Sequence, residues 1–242
     1  MEEILNFHKY LDPSSSLKVD KLNDLAKRLM KEYCIKKQNA FYQIVEIEFY
    51  FYSKNHRDII TYPRTCPMGS CFFHQSGVDL TIESSEEGEN PCFGGILIRS
   101  IRKYDKDGKY KETICGPLKC VYELFDVLDA VNSKNNLTPV FEKHDFGNIE
   151  VDTTQRYIPL NVSAKDLKNG IDEKIAIKEK AKTKLKNILS ENKKRAKGNQ
   201  EWLIASDEDN SFECFQNYLT AKYRFYLKGI EWGKGYNASN LK

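Results

Sequence analysis

The sequence lacks any long apolar segment. Its 242 residues contain no run that approaches the roughly 18–20 apolar residues needed to span a bilayer. The first twelve residues have neither a basic region nor a long apolar core, so they do not read as a secretory signal. These two absences argue against a transmembrane protein and against a secreted one.

The sequence also lacks an even number of cysteines and a strong net charge. It has seven cysteines, so a fully paired disulfide framework is impossible and reduced thiols in the cytoplasm are expected. Its 38 basic and 35 acidic side chains leave a net charge of only +3. A charge of this size permits a polyanionic partner but does not indicate one.

Aromatic residues, in contrast, are plentiful. The chain has 13 Phe and 14 Tyr, and hydrophobic residues make up 40% of it. This composition predicts a packed core rather than a disordered chain. The length is that of one large domain, or of one domain with an appendage.

The periodic segments predict an α+β fold. Apolar residues at helical spacing predict a helix over residues 19–36, and Gly116-Pro117 marks the start of a second helix. We also predict strands over residues 41–52, 70–82 (interrupted at Ser76-Gly77), 93–101, 156–162 and 223–229, a helix over residues 165–197, and mostly loop over residues 132–153. This order indicates a curved, mainly antiparallel sheet flanked by helices.

Polar residues on the first predicted strand are the first candidates for chemistry. Glu48 and Tyr50 share one face of this strand, about 7 Å apart, and His56 follows eight residues after Glu48. The structural alternative is a buried glutamate paired with Arg99 or Arg102, and composition alone favours it. For Arg99, the pattern is equally consistent with a structural role, in which it neutralises a carboxylate or reaches solvent, and with a functional role as a partner of Glu48 or a clamp for a phosphate.

Two further patterns have both a structural and a functional interpretation. Cys66, Cys71 and His74, with His56 as a fourth ligand, suggest zinc, but their spacing favours small buried thiols and we predict no metal. Residues 165–197 contain 12 Lys and Arg against 5 Asp and Glu. A solvated helix face is the default interpretation of this excess, and a footprint for a phosphate backbone is the alternative.

Six short segments follow one another in an order that resembles a known family. They are IVEIEFY (residues 44–50), GSCFFHQSGVDLTI (69–82), GGILIRSI (94–101), CGPLK (115–119), QRYI (155–158) and YRFYLKG (223–229). Each is weak alone, but together they are similar to the alkyladenine (3-methyladenine) DNA glycosylases. The resemblance implies the curved antiparallel core of that family and hydrolysis of the N-glycosidic bond of an altered base in DNA.

The resemblance also implies roles for individual residues. Glu48 would be the general base that activates water, and Arg99 would position that water and the sugar-phosphate. The implied base-binding residues are Tyr50, His56, Phe73 and His74, and the implied nucleic-acid contacts are Lys119 and Arg156. We expect a monomer that binds DNA and needs no metal or cofactor, because aromatic walls hold an extruded base and a carboxylate stabilises the cationic sugar.

The sequence departs from the family at three places. The separation of Glu48 from His56 is shorter than in the family, which makes His74 a substitute. Ser76 stands where the family has a tyrosine that wedges into the DNA stack. Residues 164–218 form a basic helical insertion within a single domain over residues 1–242. Three interpretations follow: a glycosylase for another nucleic-acid context, a hydrolase of a small N-glycoside, or a nucleic-acid-binding relative without catalysis.

Overall fold

The fold is a curled antiparallel sheet with helices packed against it. A computed structural model describes residues 19–53, 55–82, 92–126, 139–156, 158, 173–195, 208–233 and 236. Ten strands of this part of the chain join in one sheet. The expected α+β class with a mainly antiparallel core is thus confirmed. None of the helices within these ranges has the length and apolar character required to cross a membrane.

The elements follow one another in a mixed order. They are α1 (Val19–Glu32), β1 (Tyr33–Lys37), β2 (Ala40–Ser53), β3 (His56–Arg57), β4 (Cys71–His74), β5 (Gly77–Thr81), β6 (Cys92–Asp105), β7 (Tyr110–Cys115), α2 (Pro117–Leu124), β8 (Val140–Lys143), β9 (Val151–Thr154), α3 (Glu173–Arg195), α4 (Glu208–Thr220) and β10 (Arg224–Leu227). The strand order is β4-β5-β6-β2-β1-β8, with β3 and β10 also on β2, β7 on β6, and β9 on β10.

The long strands β2 and β6 form the centre of the sheet. They pair along almost their whole length, and the other edge of β2 pairs in turn with β1, β10 and β3. Residues 42–49 of β2 are all buried. The alternation in the sequence therefore does not mark a solvent-facing side, because the polar residues of this strand are buried as well.

The predicted first helix is correct at its start and wrong at its end. Its apolar stripe is buried as expected, with Leu22, Ala26 and Leu29 fully inaccessible. The helix ends at Glu32, however, and Tyr33 begins β1 instead of continuing the stripe. The pairing of β1 with both β2 and β8 supplies backbone hydrogen bonds that replace those of another helical turn.

Other predicted boundaries also need correction. The expected strand over residues 156–162 lies partly outside the described residues, and Arg156 and Ile158 are not in a strand. A strand does form just before this segment: it is β9, which pairs with β10. Both β9 and β8 fall in or at the end of the segment 132–153, which is predicted to be mostly loop. The helix start after Gly116 and the last strand are confirmed.

The basic insertion contributes to a second apolar cluster. Its helix α3 is confirmed over Glu173–Arg195, whereas residues 165–172, 196 and 197 lie outside the described part. Ala181 and Leu185 of α3 pack with Phe215 of α4, and the sheet and its following loop complete the cluster with Tyr52, Ile59 and Phe93. The insertion is therefore packed on the sheet and is not a separate solvated helix.

This packing predicts that substitutions on the packed face of α3 destabilise the protein more than substitutions on its exposed face. Leu185 is 3% exposed, so Leu185→Ala should lower the free energy of unfolding by about 2–5 kcal/mol. Asn187→Ala, at an exposed position of the same helix, should change it by less than about 0.5 kcal/mol. Urea denaturation of both variants measures the difference, and equal effects would mean that α3 does not pack on the sheet.

Candidate active site

Two glutamates of β2 lie in the interior of the sheet. Glu46 and Glu48 are both fully buried. Arg99 of β6 joins them, since its Nε donates to Glu46 Oε1 at 3.1 Å and its Nη1 donates to Glu48 Oε2 at 3.1 Å. Arg224 of β10 adds a second guanidinium, whose Nε lies 2.6 Å from Glu46 Oε1. Two buried negative charges are thus balanced by two positive charges, as burial of carboxylates requires.

A local irregularity in the sheet places Arg99 between the two carboxylates. The pairing of β2 with β6 shifts on both sides of Glu46, so that the register passes over Val45 on one strand and over Arg99 on the other. Irregularities of this kind redirect a side chain relative to regular pleating. Arg99 therefore reaches two glutamates of the neighbouring strand at once.

The two glutamates have different surroundings. Glu46 accepts hydrogen bonds from Ser100 Oγ at 2.5 Å and from Tyr236 Oη at 3.0 Å, in addition to those from the arginines. It connects β2, β6, β10 and the chain after β10, which is a structural role. Glu48 instead accepts a hydrogen bond from the hydroxyl of Tyr50, at 2.8 Å on Oε2.

Tyr50 connects this charged cluster to a cavity. Its hydroxyl donates to Glu48, its ring lies 4.7 Å from the guanidinium carbon of Arg156, and its side chain lines the cavity. Burial, together with the negative charge of Glu48, raises the pKa of Tyr50 well above its ordinary value. The phenol consequently stays protonated and keeps its hydrogen for Glu48.

The cavity has a volume of about 120 Å³. Its lining among the described residues is mixed. The polar side chains are Tyr50, Tyr62, Arg64, His74, Ser76, Asp79 and Lys184, and the apolar ones are Ile60, Leu97, Ile158 and Ile188. A cavity of about 150 Å³ holds a benzene ring, so this slightly smaller cavity has a volume of the order of one flat ring, and hydrogen-bonding groups line it.

An imidazole, a carboxylate and a guanidinium follow one another along the cavity wall. Asp79 Oδ1 lies 3.0 Å from His74 Nε2, and Arg64 Nη1 donates to Asp79 Oδ2 at 2.6 Å. Burial opposes ionisation of Asp79, but the charge of Arg64 and the hydrogen bond from His74 outweigh it and lower the pKa. The backbone N–H of Ser76 donates to His74 Nδ1 at 3.2 Å, so the other ring nitrogen, Nε2, is the one that faces Asp79.

A glycine of β6 makes room for this arrangement. A Cβ on Gly95 would lie 2.7 Å from Arg64 Nη1 and 2.8 Å from the Asp79 Cβ. Any larger residue there would displace the ion pair from the wall. This close approach explains why the second of the two consecutive glycines near the start of β6, Gly95, has no side chain.

The structure brings together part of the predicted site. Glu48, Arg99 and Tyr50 are in mutual contact, and His74 lines the cavity with Tyr50. His56 does not line it. His56 is 2% exposed and packs against Phe51, Tyr218 and Tyr223 beneath the sheet edge. Of the two imidazoles proposed for the pocket, the structure therefore places His74 there.

Three other predicted residues lie away from the cavity. Phe73 is 50% exposed and packs edge-on against Phe125, because it points away from the cavity on β4. Lys119 is exposed on α2, where contact with a nucleic acid is open to it. Arg156 is not available for such a contact, because its side chain is fully buried against Asp58 at 2.6 Å.

Other residues of the cavity were not predicted. Tyr62 and Arg64 belong to a turn-rich segment without periodicity, so the sequence carries no signal for them. Lys184 could not be distinguished by sequence from the many other lysines of the insertion. Asp79 lies on β5, and its pairing opposite Leu97 in the sheet brings it to the cavity wall.

The cysteines and histidines do not converge. In the part of the chain that the structure describes, no three His, Cys, Asp or Glu side chains are grouped so that they could hold a metal ion. The six cysteines with described side chains are free thiols. Burial raises the pKa of Cys71 and Cys120, which disfavours the thiolate form.

Comparison with known proteins adds no further information on the family. No family model matches the sequence, and no curated protein shows significant similarity to it.

The burial of His56 predicts a pH-dependent stability. Burial, only partly offset by Asp58, lowers the pKa of His56 from 6.5 to about 4. The unfolded chain therefore binds a proton that the folded chain does not bind between these values. The free energy of unfolding should decrease by about 3 kcal/mol as the pH falls from above 6.5 to 4.

Urea denaturation across this pH range, with His56→Gln as the comparison, measures the contribution. The variant should lose this part of the decrease, because glutamine does not titrate. An identical pH dependence in both proteins would show that folding does not lower the pKa of His56.

Proposed function

We propose that this chain is a DNA N-glycosylase-like protein that takes a nucleobase into the cavity beside Tyr50 and hydrolyses its N-glycosidic bond with Glu48 as general base. The observation that carries the proposal is the position of Tyr50. One side chain forms part of the cavity wall and holds a buried carboxylate at 2.8 Å. A ring-sized cavity is thus connected directly to an acidic group.

The chemistry that we assign to Glu48 follows from the reaction. Cleavage of an N-glycosidic bond builds positive charge on the sugar, and a carboxylate near the anomeric carbon both stabilises this charge and removes a proton from water. Arg99 places a positive charge against Glu48, since its guanidinium lies 3.1 Å from the carboxylate. No metal or cofactor is required for these steps.

The burial of Glu48 sets a condition on this mechanism. Its side chain has no exposed surface, so water and the sugar reach it only when Tyr50 or Arg99 shifts as the substrate binds. Catalytic hydrogen bonds commonly reach their final geometry only in the substrate complex. We assign this role to Tyr50, because its hydroxyl is the group between the cavity and the carboxylate.

The cavity also supports a substrate class. Tyr50 and Tyr62 supply aromatic surface against which a base can stack. Ser76, in the turn between β4 and β5, also lies at the cavity, and it is too small to fill the gap left by an extruded nucleotide. We therefore propose single-stranded or already unpaired DNA as the substrate, acted on by a cytoplasmic monomer.

A second function is favoured by one specific observation. Glu48 is fully buried and bonded to Arg99, which is also what a purely structural ion pair looks like. In that case the cavity would bind a base without hydrolysing a bond, and the chain would be a nucleic-acid-binding relative. A hydrolase of small N-glycosides is the third alternative, and it would act on nucleosides without affinity for DNA.

Release of free base tests the first proposal. Incubation with single-stranded DNA that contains alkylated or deaminated bases should release the altered base. Glu48→Gln should reduce the rate by about 10²–10⁴-fold, because general base catalysis contributes a factor of this size. Tyr50→Phe should have a smaller effect, since it keeps the cavity wall and removes only the hydroxyl.

The controls separate chemistry from folding. Glu48→Asp keeps the charge that balances Arg99 and should retain part of the activity, whereas Glu48→Gln leaves a buried cation less compensated. Thermal unfolding of each variant shows whether it is folded. Base release that is undiminished in folded Glu48→Gln, or none from wild type on any of these bases, would refute hydrolysis and favour one of the alternatives.

A further inference from the structure

The basic insertion forms part of the cavity wall. Lys184 and Ile188 of α3 both line the cavity that also contains Tyr50 and His74. Close to them on α3, Ala181 and Leu185 are buried in the second apolar cluster, which joins α3 to α4 and the sheet. The helix is therefore fixed against the sheet, and its position next to the cavity does not depend on a ligand.

Lys184 differs from the other inward residues of this helix. Its neighbours on the packed side, Ala181, Leu185 and Asn192, are uncharged and 3% exposed. Lys184 is half-buried and has no carboxylate within ion-pair distance among the residues that the structure describes. A partly buried ammonium without a counter-ion is unfavourable unless an anion compensates it.

The other charged groups of the cavity compensate one another. Arg64 is paired with Asp79 at 2.6 Å, and both side chains are at most 2% exposed. His74 also has Asp79 as its partner, since its Nε2 lies 3.0 Å from Asp79 Oδ1. Lys184 thus leaves the described lining with one uncompensated positive charge. A ligand that fits the cavity is expected to combine a flat ring with a negative group.

We propose that Lys184 binds a phosphate of the ligand whose base occupies the cavity, so that the protein recognises nucleotides rather than nucleosides or free bases. This inference rests on the proposed base pocket but not on hydrolysis. The phosphate belongs either to a free nucleoside monophosphate or to a nucleic-acid strand, since the ammonium contacts the same oxygens in both. This role of Lys184 would also give the basic insertion a function at the cavity.

Equilibrium binding of matched ligands tests this inference. The probes are the four deoxynucleosides, their 5′-monophosphates and short single-stranded oligodeoxynucleotides. Wild-type protein should bind at least one monophosphate or oligonucleotide about tenfold more tightly than the nucleoside with the same base, which corresponds to about 1.4 kcal/mol. Lys184→Ala should abolish this preference, so that the nucleotide and the nucleoside with the same base bind with similar affinity.

Two comparisons separate a specific contact from general charge. Lys193→Ala removes an exposed lysine from the same helix and should retain the preference. Lys184→Gln keeps a long side chain against the wall and should behave like Lys184→Ala. For an oligonucleotide, the slope of the logarithm of the binding constant against the logarithm of the salt concentration should be smaller for Lys184→Ala, by the amount that corresponds to about one phosphate contact.

Each outcome of this experiment decides the inference. A preference seen only with monophosphates identifies a free nucleotide as the ligand, and one seen only with oligonucleotides identifies a strand. Lys184-dependent binding without any base release would support this inference while hydrolysis fails. Equal losses in Lys184→Ala and Lys193→Ala, equal weakening of nucleosides and nucleotides, or no binding of any probe would overturn it.

Discussion

The buried charge cluster on β2 is the constraint on which the rest of the structure depends. Two glutamates without solvent contact require counter-charges, and these come from Arg99 on β6 and Arg224 on β10. Removing one partner of such a group typically costs about 3–5 kcal/mol, because the remaining charge is left uncompensated. The cluster therefore links three strands that are distant in sequence, and it fixes where Glu48 lies.

The two glutamates of this cluster differ in their contacts. Glu46 is held by two arginines, a serine and a tyrosine, so it carries the structural part of the arrangement. Glu48 shares Arg99 with it but is bonded to Tyr50 on its other side. Glu48 is thus a buried carboxylate that is joined through Tyr50 to the cavity wall, which is the arrangement on which the proposed general-base role rests. The division of roles between neighbouring glutamates follows from these contacts.

Much of the core could be predicted from the sequence, and the site only in part. The apolar stripe of α1 and the contact of Glu48 with Tyr50 follow from spacing along single elements, and spacing is local. The contact of Glu48 with Arg99 joins two strands, and the sequence left Arg99 and Arg102 as alternatives for it. The cavity brings together the turn-rich segment of Tyr62 and Arg64, the β4–β5 hairpin and α3. Such long-range proximity has no periodic signature. His56 and His74 illustrate this, because spacing could not decide between them and the packing of His56 against three aromatic rings does.

The central claim is that a base bound beside Tyr50 places its sugar at Glu48. The most direct test is a crystal structure of the folded Glu48→Gln variant with a short single-stranded oligonucleotide. The account predicts a base stacked in the cavity against Tyr50, the anomeric carbon facing residue 48, and a shifted Tyr50 side chain. A base bound elsewhere, or residue 48 still sealed behind Tyr50 and Arg99 in the complex, would contradict it.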